Sequence, residues 1–150
     1  MATVGALVAA GVVPVAGIAV IPMAGIIMGG AMTAAGLAGR TAREKISARW
    51  GEIEAGLSLG LPPAFIRWEV CRDSPGLGVM PHLDQTRTVG LVAIPGAFVG
   101  MVLGGASPTD AAAMQLLVLV AILCCGSIAA VLVSRYVAQG WYGEFRPAVG

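Results

Sequence analysis

AAAMQLLVLVAILCCGSIAAVLVS, residues 111–134, contains no charged side chain. A helix needs about 20 apolar residues, at 1.5 Å each, to cross the hydrocarbon core of a bilayer. This stretch is long enough for one crossing. Working outward, residues 88–109 are also charge-free and suit a second, and residues 1–39 form another such run. Composition agrees: of 150 residues, 57% are hydrophobic and 11% charged, and mean hydropathy is +0.87. Soluble domains carry roughly 25% charged residues. The predicted class is all-α, a polytopic membrane protein with about three transmembrane helices, and residues 1–150 read as a single membrane domain.

The N-terminal run is too long for one span, since as helix it would reach about 58 Å. Pro14 and Pro22 divide it. Placing Pro22 in the first turn of a helix, where a missing N–H costs little, gives a span over 21–39. Residues 1–12 then form a hydrophobic stump and 13–20 a turn at the membrane surface. The rival reading is one kinked span over 4–28. A secretory signal would need a basic region ahead of the apolar stretch, and residues 1–39 hold no Lys or Arg.

Orientation follows from the basic residues. Arg40, Arg43, Lys45, Arg49, Arg67, Arg72 and Arg87 lie between the first and second runs, and Arg135 and Arg146 follow the third. The connection 105–110 has none. The positive-inside rule puts 40–87 and the C-terminus in the cytoplasm and 105–110 outside. In that outer connection Gly104-Gly105 ends one helix. Ser107 caps the next, with Pro108 in its first position and Asp110 in its first turn. Gly25 and Gly29, and Gly96, Gly100 and Gly104, recur at four-residue spacing, which suits close helix packing in lipid. Pro95 is expected to kink its helix.

Between the runs, Ile46, Trp50, Ile53 and Leu57 make one apolar stripe of a helix over 40–60. Pro62-Pro63 breaks it. Residues 64–72 suit a second short helix carrying Phe65, Ile66 and Trp68, and Ser74-Pro75-Gly76 is read as another break. The result is a helical bracket suited to a partner's groove or to the membrane surface.

Glu54-Ala55-Gly56, followed after Leu57-Ser58-Leu59 by Gly60, resembles the EAA–x3–G loop of ABC-transporter permeases. Two longer blocks, IPMAGIIMGGAMTAAGLAGR at 21–40 and MPHLDQTRTVGLVAIPGAFVGMVLGGASP at 80–108, resemble the FetB-type iron-export permeases. The similarity runs over about residues 12–137 and corresponds to the C-terminal part of those longer proteins. Gly30 stands where the family usually has Asn, and Gly56 replaces the second Ala of the loop pattern. The resemblance implies a bacterial inner-membrane, multi-pass permease subunit that exports iron or another metal ion. It further implies a separate ATP-binding subunit that meets the coupling segment 40–87 at Glu52, Glu54, Ala55, Gly56 and Gly60. With the family's N-terminal helices missing, a homodimer or a companion membrane chain is expected, and transport by this chain alone is not. The alternative is a truncated or non-transporting membrane protein that docks on a partner.

No ATPase chemistry is expected in this chain, because its only lysine, Lys45, lies between Glu44 and Ile46 and forms no phosphate-binding loop. One histidine excludes the common hydrolytic metal motifs. Neither a cofactor nor a nucleic-acid partner is expected; net charge is +1. His82, Asp84, Gln85 and Gln115 are the candidate polar residues of a pathway, with His82 and Asp84 just before the second span. Met23, Met28, Met32, Met101, Met114, Cys124 and Cys125 are potential soft ligands but read better as apolar filler.

Overall fold

The computed structural model describes residues 17–88 and 96–141. Among these described residues six helices follow in order: α1 (Gly17–Ala48), α2 (Trp50–Ser58), α3 (Pro63–Cys71), α4 (Ser74–Thr88), α5 (Gly96–Leu103) and α6 (Pro108–Ala138). Every regular element among the described residues is helical, as predicted. Among them one helix, α6, is long and apolar enough to cross a membrane. The stump, Pro14, Pro95 and Arg146 lie outside the described residues.

Three boundaries differ from expectation. α1 begins at Gly17 and runs to Ala48, so residues 17–20 are helical rather than a turn and Pro22 lies beyond the first turn. The end of the charge-free run is not a helix end: Arg40, Arg43, Glu44 and Lys45 are good helix formers and carry α1 onward. Ser74-Pro75-Gly76 opens α4 instead of breaking the chain, because proline costs little where N–H groups lack helical partners. His82 and Asp84 therefore lie within α4, which also contains Pro81.

Glycine ends three helices by one device. Gly60, Gly105 and Gly140 have φ of 78°, 91° and 86°, a left-handed conformation that only glycine adopts cheaply. After α5, Gly105 N–H donates to Val102 O at 3.1 Å and Ala106 N–H to Met101 O at 3.0 Å. That pair of bonds is a Schellman motif, which satisfies carbonyls the helix leaves free. The next helix starts as predicted: Asp110 N–H donates to Ser107 Oγ at 3.1 Å.

The chain divides into two compact units, Met1–Gly30 with Pro81–Cys125, and Ala31–Met80 with Gly126–Gly150. In the first, Met23 and Ile27 of α1 pack with Val118 and Ile122 of α6. Each pair is four residues apart and so shares a helix face. Gly30 continues the α1 row; a Cβ there would lie 2.8 Å from Ile122 Cγ2. In the second, Ala42, Ile46, Ile53, Ile66, Val70, Cys71 and Val137 form the core. Ile46 and Ile53 of the predicted stripe are fully buried, whereas Leu57 is 39% exposed because α2 is nearly finished there. A Cβ on Gly78 would lie 2.7 Å from the Ala34 carbonyl oxygen, so α1 and α4 touch backbone to backbone.

Candidate functional site

The bracket of α2 and α3 lies in the second unit and holds the residues nominated for docking. α2 starts where Arg49 leaves helical geometry, at φ −109° and ψ 31°. Its end is another Schellman motif: Gly60 N–H donates to Leu57 O at 2.9 Å, and Leu61 N–H to Gly56 O at 3.3 Å. Pro62 then caps α3 and Pro63 takes its first position, with Phe65 N–H donating to Pro62 O at 3.0 Å. Gly56 is buried under α3, and a Cβ there would lie 2.9 Å from Ile66 Cδ1. Thus Gly56 allows the two helices to close and Gly60 allows the chain to turn between them.

The outer surface of this turn is apolar. Leu59 is 80% exposed and Phe65 55%, with Leu57 and Leu61 also exposed. The charges stand apart from it in pairs: Lys45 with Asp73, Arg49 with Glu52, and Arg72 with Glu69 at 2.7 Å. Arg49 donates to Glu52 Oε1 at 2.6 Å and holds that carboxyl below its usual range. Lys45 does the same for Asp73. Both contributions are present above the ordinary carboxylate range and are lost as pH falls through the lowered values. Both pairs are exposed, so each adds little. Glu54 accepts a hydrogen bond from Trp50 Nε1 at 2.8 Å and is exposed, as is Ala55. Arg135 near the end of α6 lies over the Trp68 ring, 4.8 Å from its centroid, and anchors α3.

Sequence reasoning placed Glu52, Glu54, Ala55, Gly56 and Gly60 on this bracket but missed Leu59 and Leu61 as its apolar tip. The signal was available in the run Leu57-Ser58-Leu59-Gly60-Leu61, whose leucines outnumber what one buried face of a short helix accommodates. Cys71 is fully buried beneath the bracket, and burial pushes its thiol up to about 11. The thiolate is the reactive form. Maleimide at neutral pH is therefore expected to leave Cys71 unmodified until denaturant is added; rapid labelling of the folded chain would refute this packing.

The other nominated residues are dispersed. His82 is buried in the first unit, its Nε2 3.0 Å from the Gly30 carbonyl oxygen. Asp84 and Gln85 are exposed on α4, and Asp84 lies 4.0 Å from Arg87. Gln115 is half-buried on α6, and its Oε1 has no hydrogen-bond partner among the described residues. No group of three or more His, Cys, Asp or Glu with metal-binding geometry occurs among the described residues. Gly25, Gly29 and Gly100 have open space where a Cβ would stand; among the described residues the approaches closer than 3.0 Å fall at Gly30, Gly39, Gly56 and Gly78. Gly104 precedes the Gly105 turn, and Gly96 opens α5.

Among the described residues the chain is thus an α-helical protein with one helix long and apolar enough to cross a membrane, joined to a helical bracket with paired charges and an apolar tip. It belongs to UPF0014, an uncharacterised protein family whose model matches residues 1–142. It is 35% identical over 130 residues to the UPF0014 membrane protein STAR2 of Oryza sativa subsp. japonica, covering 87% of this chain and 46% of that one. It is 36% identical over 99 residues to ALUMINUM SENSITIVE 3 of Arabidopsis thaliana, covering 66% and 36%. Against the probable iron export permease protein FetB of Escherichia coli (strain K12) it is 31% identical over 125 residues, covering 83% and 48%. The family resemblance read from the two sequence blocks is thus borne out. The chain spans about half the length of the curated relatives it matches, or less. No solved structure matches it.

Proposed function

We propose that this chain serves as membrane-spanning permease material of an ABC transporter, moving iron or another metal ion with energy from a separate ATPase subunit. The observation that carries the reading is the α2–α3 bracket. It presents Leu57, Leu59, Leu61 and Phe65 outward on a tip held by two short helices. Such a tip suits insertion into a groove of a partner protein. Its sequence resembles the coupling loop of ABC permeases, and a relative bears the name of a probable iron export permease. The deciding measurement is ATP-dependent metal movement in vesicles containing this chain, its ATPase subunit and any companion membrane chain. Flux that disappears with a catalytically dead ATPase supports the reading. ATPase binding without flux of iron or any other metal ion supports the docking-only alternative.

The same reading places Asp73 on the cytoplasmic side and Ala106 outside, because basic residues surround one and avoid the other. Single cysteines at these positions are expected to label oppositely with an impermeant thiol reagent in intact cells. Labelling of position 73 from outside would reverse the topology.

A further inference from the structure

In the second unit a groove of about 550 Å³ runs between α1 and α6. Its α1 side changes character along the helix. Ala35, Gly36 and Gly39 come first, then Arg40, Arg43 and Glu44; Val133 and Val137 of α6 face them across the groove. From Ala35 to Glu44 the helix rises about 14 Å. One end is thus narrow-walled and apolar and the other is charged. The α1 charge-free run stops at Gly39 and the α6 run at Ser134. The two helices meet at that level, since a Cβ on Gly39 would lie 2.8 Å from Val133 Cγ1. The charged end therefore coincides with the place where both charge-free runs end.

The arginines of this groove differ from their neighbours. Lys45, Arg49 and Arg72 each hold a carboxylate, and Arg135 stacks on Trp68. Arg40 and Arg43 make no ion pair or hydrogen bond among the described residues. They are one turn apart and so share a helix face. Planar guanidiniums grip phosphate oxygens in pairs, and basic pockets between membrane helices suit lipid head groups.

We propose that this groove binds one anionic phospholipid. Arg40 and Arg43 hold the phosphate, and an acyl chain lies along Ala35, Gly36 and Gly39 against Val133. Glu44 limits the charge: two guanidiniums against one carboxylate match a single phosphodiester. Its oxygens also accept from head-group hydroxyls, which favours a glycerol head group over choline. The apolar half of the groove distinguishes a lipid from a free phosphate. The proposal needs only the membrane placement of α1 and α6, so its outcome is independent of any transport role.

The test incubates the full chain in mild detergent with mixed phosphatidylcholine and phosphatidylglycerol vesicles, then quantifies co-purifying phospholipid by mass spectrometry. Phosphatidylglycerol is expected to be enriched. Losing one guanidinium should weaken retention about fivefold, and Arg40→Gln with Arg43→Gln on the order of thirtyfold. Gly36→Leu should also expel the lipid while both arginines remain, and it should not disturb the fold, since a Cβ on Gly36 meets nothing within 4 Å. Inorganic phosphate should not compete. Equal retention of the two lipids, displacement by inorganic phosphate, or undiminished retention in Gly36→Leu would each overturn the proposal.

Discussion

Gly78→Val is expected to dismantle the second unit. A Cβ at position 78 would stand 2.7 Å from the Ala34 carbonyl oxygen and 2.7 Å from Ala38 Cβ. Neither obstacle can rotate aside, since one is backbone and the other is a methyl group fixed to it. Ala34 and Ala38 are fully buried, so α1 and α4 would have to separate along their contact. Overpacking of this kind costs roughly 1–3 kcal/mol even for small additions. Gly78→Ala should lower the melting temperature by roughly 2–12 °C. Valine adds two further methyl groups and a stiff χ1, and should leave little folded chain. Gly25→Ala is the control: open space surrounds that position, and replacing a helical glycine by alanine is worth up to about 1 kcal/mol. Thermal unfolding in detergent compares the three. A Gly78→Val chain that melts with the parent would show that α1 and α4 do not touch there.

Contacts of this sort explain what the sequence does and does not disclose. Ser107 with Asp110, and Gly105 with its turn, were legible because capping and chain reversal are set by residues three or four apart. Gly60 entered through the resemblance to the coupling loop, and its positive φ of 78° is what the structure adds. The positions where helices of this chain press together depend on residues far apart in sequence. Gly25, Gly29 and Gly100 carry a regular small-residue spacing suited to a neighbour from another chain, whereas the tightest approaches among the described residues of this chain fall at Gly30, Gly39, Gly56 and Gly78. Spacing reports that a face is small, whereas only the partner helix decides whether anything approaches it. The charged end of α1 misled in another way. A membrane boundary need not be a helix boundary, and Arg40 through Lys45 have every local reason to stay helical. His82 stands among the candidate pathway residues by sequence, and its partner is the Gly30 carbonyl, 52 positions away, which no local pattern reveals.

Leu59→Asp is expected to abolish co-purification with the ATPase subunit under the proposed function, while membrane insertion stays intact. Leu59 is 80% exposed and belongs to neither core, so a carboxylate there leaves the fold alone. It would, however, place an unpaired charge in a desolvated contact. Loss of a central apolar anchor of an interface typically costs about 2 kcal/mol or more, on the order of thirtyfold in affinity. Glu54→Lys should act in the same direction, because it reverses a surface charge and removes the acceptor for Trp50 Nε1. Gly60→Val acts through geometry. Gly60 sits at φ 78°, where an L side chain costs roughly 1–2 kcal/mol, and relaxing it would swing Leu59 and Leu61 away from each other. Gly60→Asn separates geometry from mere loss of glycine, since asparagine enters this conformation more readily and should retain much of the binding. Pull-down from solubilised membranes, with insertion checked by protease protection, reads all four variants. Normal ATPase capture by both Leu59→Asp and Gly60→Val would mean that the partner meets the chain somewhere other than the α2–α3 turn.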